Sequence, residues 1–192
     1  LFYRLKYKLL ILNNIQIRGL QWADSVTIPD SVTSIGVSAF SGCRLASITI
    51  PDSVTNIGDH AFEKCDRLTS ITIPNGVTNI IGSTFKDCSH LTSVTIGNSV
   101  TSIGKSAFRN CGALTSLTIG QSVSRIKAES FANCKRLTDI YSLAKNVPNT
   151  NTNAFIDSVI ESATLHVPAE LVDAYKAVAP WKNFKKVVAL IN

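Results

Sequence analysis

Methionine is absent from the 192 residues, and charged residues make up only 17% of them. A chain without Met does not begin at a start codon, so a fragment or a mature form is expected, and the lack of a leader says nothing about secretion. The low charge and a hydrophobic share of 45% describe a chain that folds, not a disordered polyelectrolyte. No run approaches the roughly 18 apolar residues that span a bilayer. The nearest, LLILNNIQI, is broken by Asn13, Asn14 and Gln16, so no membrane insertion is expected within this sequence. Paired cysteines are missing as well: no CxxC occurs, and His60, His90 and His166 hold unrelated positions, so no metal site is expected. The phosphate, nucleotide, nucleophile-elbow and zinc motifs GxGxxG, Walker loop, GxSxG and HExxH are also absent. Carboxylates are scattered, with no repeated acid pair suited to proton transfer. The sequence therefore offers no catalytic residue and no cofactor-binding residue, and reads as non-enzymatic.

Net charge is +6, but the basic residues are dispersed, with small groups in YRLKYK (Arg4, Lys6, Lys8) and WKNFKK (Lys182, Lys185, Lys186). That balance favours anionic surfaces in a general way. It lacks the concentrated basic stripe with interleaved aromatics that nucleic acid requires, so nucleic acid is not an expected partner.

What the chain does contain is a repeat. Phe40, Phe62, Phe85, Phe108 and Phe131 are spaced by 22, 23, 23 and 23 residues. Around them the units read SVTSIGVSAFSGCRLASITIPD, SVTNIGDHAFEKCDRLTSITIPN, GVTNIIGSTFKDCSHLTSVTIGN, SVTSIGKSAFRNCGALTSLTIGQ and SVSRIKAESFANCKRLTDIYSLA. The 22-residue step is a deletion between Cys43 and Leu45, and SVTIPD at 25–30 is the tail of an earlier unit. A fixed period of this length marks stacked coils.

Within each unit a run such as Leu68-x-x-Ile71-x-Ile73 alternates at period two, which predicts a strand with one buried face. Pro29, Pro51, Pro74, Gly97 and Gly120 end these strands. A second apolar pair, as in Val54/Ile57 or Val100/Ile103, precedes a short helical or turn-like return through SAF..C. Twenty-three residues are too few for a full helix and a strand with connections. The expected fold is thus a right-handed repeat solenoid of 23-residue coils, with a parallel β-sheet on one face, short strands and turns elsewhere, little helix and capped ends.

Stacking at about 4.8 Å per coil would place Ile48, Ile71, Val94, Leu117 and Ile140 in one buried column. Ile50, Ile73, Ile96, Ile119 and, offset by one residue, Leu143 would form a second, and the phenylalanines a third.

All five cysteines follow a phenylalanine by three residues. One thiol per coil puts neighbours within the Cα range of a disulfide. Equivalent side chains in stacked coils run parallel, however, and an odd number leaves one thiol over. A column of buried free thiols acting as small hydrophobes is expected, ahead of occasional disulfides or a metal or catalytic role.

The motif carried by SVTNIGDHAFEKCDRLTSITIP, repeated over about residues 25–143, resembles the leucine-rich repeats of the BspA-like family of surface proteins. ATLHVPAELVDAYKAVAPWKNFKKVVAL, at 163–190, is similar to the segment that closes such arrays in gut-associated bacteria. The chain departs from the commonest leucine-rich repeats in lacking their regular Asn after the strand, where Gly76, Ser99 and Ser122 lie. The resemblance implies a secreted or surface-displayed, adhesion-type module that binds host or neighbouring-cell proteins or glycans. The rival expectation is an architectural spacer holding another domain away from the cell surface.

Opposite the buried column each strand carries Ser then Thr: Ser47/Thr49, Ser70/Thr72, Ser93/Thr95 and Ser116/Thr118, replaced in the fifth unit by Asp139/Tyr141. Such residues suit any solvated strand face. They also form a rigid hydroxyl platform for a ligand, with Tyr141, the only aromatic expected on that face, as anchor. Ser70, Thr72, Ser93, Thr95, Ser116, Thr118, Asp139 and Tyr141 are the candidate ligand-binding residues. A second polar row runs through Thr55/Asn56, Thr78/Asn79 and Thr101/Ser102, and basic residues gather near Arg109, Arg125, Lys127, Lys135 and Arg136.

The expected division is an N-terminal cap or worn repeat over 1–24, in which Leu20 and Trp22 cover the first coil, an array over 25–143, and a degenerate repeat with a C-terminal cap over 144–192. In the last part Ala154 and Phe155 retain the repeat signature, residues 169–179 have helical composition ended by Pro180, and KKVVAL predicts a closing strand.

Overall fold

The structure, a computed structural model, describes residues 24–191. The expected N-terminal cap, with Leu20 and Trp22, lies outside the described residues except for Asp24. The alternating runs are the strands β1 (Ser25–Thr27), β3 (Ser47–Thr49), β5 (Ser70–Ile73), β7 (Ser93–Ile96), β9 (Ser116–Ile119), β11 (Asp139–Ser142) and β13 (Thr164–Val167), closed by β14 (Lys186–Ala189). Between them lie the two-residue strands β2 (Ser34–Ile35), β4 (Asn56–Ile57), β6 (Asn79–Ile80), β8 (Ser102–Ile103), β10 (Arg125–Ile126) and β12 (Asn149–Thr150). The chain is thus a parallel β-solenoid of about seven coils of about 23 residues.

A coil of constant length returns the chain to the same place, so equivalent residues meet. Ile71 pairs with Val94, Val94 with Leu117, Leu117 with Ile140, Ile140 with Leu165 and Leu165 with Val187. The main sheet is not continuous to the first coils: β5 to β14 form six strands, and β1 and β3 pair separately. At that break the bond from Thr69 N–H to Ala46 O is 3.3 Å, against 2.8 Å from Thr92 N–H to Thr69 O one coil later.

Phe40, Phe62, Phe85, Phe108, Phe131 and Phe155 stack in one buried pile with ring centroids between 5.1 and 5.4 Å apart. Near-parallel rings at that separation are offset, an arrangement contributing about 0.5–1.5 kcal/mol per pair beyond burial. The return through each phenylalanine is a turn and not a helix. Left-handed residues bracket it, such as His60 (φ 55°) and Lys64 (φ 59°), and a positive φ cannot continue a right-handed helix.

The five cysteines are free and buried. Beyond filling space, the thiols of Cys65, Cys88, Cys111 and Cys134 donate to the carbonyls of Phe40, Phe62, Phe85 and Phe108 in the preceding coil, at 3.1–3.6 Å. In the sixth coil Ser158 takes this role, donating to Phe131 O at 2.6 Å and accepting from Cys134 N–H at 2.9 Å.

The second apolar column ends differently from the sequence expectation. Ser142, not Leu143, pairs with Ile119 and is buried, while Leu143 is exposed. The reason lies in the C-terminal segment. Helix α1 (Val172–Ala177) buries Tyr175, whose hydroxyl shares a 2.8 Å hydrogen bond with that of Ser142. A buried hydroxyl needs such a partner. Trp181 and Phe184 meet Phe155 edge-on at 5.5 and 5.6 Å and cover the last ring of the pile.

Candidate functional site

Strand alternation sends Ile71, Val94, Leu117 and Ile140 inward and the residues on either side of each outward. Register then sorts the eight candidate residues into two rows. Ser70, Ser93, Ser116 and Asp139 form one, and Thr72, Thr95, Thr118 and Tyr141 form the other. All eight share one face of the main sheet.

The hydroxyls on this face differ from those just before it. Thr69, Thr92, Thr115 and Thr138 each donate to a main-chain carbonyl of the preceding coil, at 2.9–3.3 Å. These four stitch coil to coil. Ser70, Thr72, Ser93, Thr95, Ser116 and Thr118 have no hydrogen-bond partner among the described residues, and their hydroxyls face solvent or a ligand. Exposure falls along the rows: Ser70 and Thr72 are exposed, whereas Ser116, Thr118, Asp139 and Tyr141 are half-buried.

At the last coils the face changes character. Tyr141 lies beside His166 of β13, and the two rings stack at 4.5 Å with 11° between their planes. His166 Nε2–H donates to Asp139 Oδ1 at 3.1 Å. Tyr141 is therefore not the only aromatic ring on the face, as the repeat alone suggested. His166 lies beyond the matching units, so the repeat alone does not place it on this face. The signal was present in Ala163-x-Leu165-x-Val167, whose alternation places His166 in the Thr row.

Beside the Thr row runs a groove with a volume of about 460 Å³. Thr72, Thr95 and Thr118 line it together with Pro74, Gly97, Asp52, Asn75, Asn98 and the exposed Leu143. The polar residues here form a ladder. Asp52 Oδ1 accepts from Asn75 N–H at 2.9 Å, Asn75 Oδ1 from Asn98 N–H at 2.8 Å, and Asn98 Oδ1 from Gln121 N–H at 3.2 Å. Asn75 and Asn98 thus stand one residue before Gly76 and Ser99, the places that lack the usual Asn, with Asp and Gln at the ladder's ends.

Neither the two rows nor the groove lining contains Lys or Arg, although the chain carries +6 overall. Of the basic residues of the later coils, Arg125 belongs to β10 on the second sheet, Arg109 pairs with Glu129, and Lys186 of β14 continues the Ser row two strands beyond Asp139. Another charged cluster links neighbouring coils through Glu63, which pairs with Lys86 and His60 at 3.0 Å each. Burial pushes the Glu63 carboxyl up, but Lys86 and His60 outweigh it and hold the group below its usual range. The hydrogen bond to Glu63 holds Lys86 above its own.

Among the described residues no three His, Cys, Asp or Glu side chains converge in a manner suited to a metal ion. No helix among them is long and apolar enough to cross a membrane.

A family model described as a BspA type leucine rich repeat region matches the chain in six copies, over residues 21–138 and 55–175. No curated protein matches. A T. pallidum leucine-rich repeat protein of known structure is 24% identical, over 87% of this chain and 70% of its own, with a TM-score of 0.62. A leucine-rich repeat protein from Eubacterium ventriosum is 23% identical over 72% of this chain and 44% of its own, with a TM-score of 0.63. The pneumococcal vaccine antigen PcpA is 19% identical over 88% of this chain and 42% of its own, with a TM-score of 0.73. At these identities the likeness is one of fold, and the chain spans less than half the length of the last two.

Proposed function

The chain belongs to the BspA-type leucine-rich repeat family, and from that membership we propose that it is a non-enzymatic binding module, secreted or displayed at a bacterial cell surface. Its binding face comprises Ser70, Thr72, Ser93, Thr95, Ser116, Thr118, Asp139 and Tyr141. Its partner is a protein or glycan of a host or neighbouring cell. Residues 25–143 supply the face and 144–192 close the array.

The observation that carries this reading is the division of labour among the hydroxyls. The Thr residues before each strand are occupied in joining coils, while those on the face are unbonded and held on a rigid sheet. Preorganised donors and acceptors bind with little further loss of entropy. A binding surface also needs a patch that differs from the repeat average, and Asp139, Tyr141 and His166 provide one.

The test is binding of the chain to an array of extracellular-matrix proteins and glycans, beside an Asp139→Ala/Tyr141→Ala double variant. Saturable binding that the double variant loses is the expected outcome. Saturable binding retained by the variant moves the site off this face. No binding by either form leaves the spacer as the reading.

A further inference from the structure

The Thr row and its groove define a more specific ligand class. We infer that they form a subsite array for a linear, uncharged pyranose oligosaccharide, which lies across β5, β7 and β9 with its last ring against Tyr141 of β11. The inference rests on the binding-module reading above.

The spacing of the row argues for a sugar chain. Thr72, Thr95 and Thr118 recur once per coil, at the strand spacing of about 4.8 Å. A pyranose unit in an extended chain advances by a closely similar distance, so successive sugar hydroxyls meet successive threonines. An extended peptide advances only about 3.3 Å per residue and alternates its side chains, and so loses step with the row almost at once. A threonine hydroxyl donates one hydrogen bond and accepts two, which matches a polyol. These hydroxyls have no competing partner among the described residues.

Tyr141 supplies the end wall. His166 backs one side of its ring at 4.5 Å and is itself held by Asp139 at 3.1 Å. No other ring stacks on Tyr141 among the described residues, and its neighbour along the row on the other side, Thr118, is small. The electron-rich ring face suits the C–H face of a pyranose. The rows grow more enclosed towards this end, where a terminal ring would be best shielded from water.

Charge disfavours anionic sugars here. The groove lining and the eight-residue rows hold the carboxylates of Asp52 and Asp139 and no Lys or Arg, and Lys186 lies two strands beyond Asp139. Sulfated or sialylated chains would meet repulsion here, while a neutral polyol finds acceptors.

The test is calorimetric titration of the full chain with linear neutral oligosaccharides of glucose, mannose, galactose and N-acetylglucosamine of increasing length, and with sulfated counterparts. At least one neutral series should bind with an affinity that rises up to about three units, one per threonine from β5 to β9, and then levels off. Tyr141→Ala should weaken it about ten-fold or more in a chain that still unfolds cooperatively. His166→Ala, acting through the position of the Tyr141 ring, should weaken it less. Three results overturn the inference: no saturable binding of any neutral chain, binding indifferent to Tyr141→Ala, or tighter binding of the sulfated forms. Matrix proteins assayed in parallel separate the two readings. Protein binding lost in the Asp139→Ala/Tyr141→Ala variant, without sugar binding, removes the oligosaccharide alone. Absence of both kinds of binding removes the module reading as well.

Discussion

In four successive coils a thiol, that of Cys65, Cys88, Cys111 or Cys134, stands where the chain turns back beneath a phenylalanine ring, and its proton is committed to a carbonyl of the coil before. Removing such a donor takes away one hydrogen bond, a loss of about 0.5–1.5 kcal/mol, because the carbonyl keeps its turn bond, as Phe85 O does from Cys88 N–H at 3.4 Å. Cys111→Ala should lose about that much in a denaturant titration, and Cys111→Ser should lose less, because Ser158 already serves this role in the sixth coil. The same burial governs ionisation. It raises Cys43 to about 11 and Cys134 to about 12 from the ordinary 9.0. The neighbouring Cys88 thiol, with burial, also pushes Cys65 up. A thiol with a folded pKa above its unfolded value binds its proton more tightly when folded. The stability it contributes is full below pH 9.0 and is lost as pH rises through about 11 and about 12. The denaturation midpoint is therefore expected to hold level from neutral pH to about 9 and to fall beyond it. A midpoint that stays level above pH 9 would mean that the thiols are not buried in solution.

At the scale of elements, the array ends through a single polar joint. Ser142 occupies a place that Ile73, Ile96 and Ile119 hold in earlier coils, and Tyr175 of α1 reaches 33 residues back to satisfy it. The aromatic group of Trp181 and Phe184 completes the seal over Phe155. Solenoids need such closure because an open coil exposes its apolar rungs. Tyr175→Phe keeps the ring but strands the Ser142 hydroxyl, at a cost of about 1–3 kcal/mol. The loss should be local: amide exchange in β13 and β14 should quicken while that in β7 stays slow. Uniform quickening would show that the cap and the array unfold as one unit.

The whole molecule is a stack in which each coil touches mainly its neighbours, so its stability is close to a sum of coil and interface contributions. Excising Gly76–Asn98 joins Asn75 to Ser99 in the chemistry of the existing Asn98–Ser99 step and removes one 23-residue coil. The product is expected to fold, with a smaller denaturant m-value in keeping with the surface no longer buried. Its Thr row would run Thr72, Thr118, Tyr141, and the sugar length giving maximal affinity should drop by one unit. A product that fails to fold would show that the coils are not interchangeable.

The sequence by itself determined everything that recurs. A fixed period returns the chain to the same place, alternation at period two decides which side chains are buried, and together they placed Ser70, Thr72, Ser93, Thr95, Ser116, Thr118, Asp139 and Tyr141 on one face. Tertiary structure alone decided what does not recur. Thr69 and Thr72 are the same residue type in one strand region, yet only the first lies within reach of a carbonyl in the preceding coil. Ser142 rather than Leu143 enters the core because a hydroxyl 33 residues away meets it. His166 joins Tyr141 and Asp139 across 27 residues that follow no repeat. Periodicity encodes positions shared by every coil, whereas the partner of a polar atom depends on distance in space, which a local pattern does not contain.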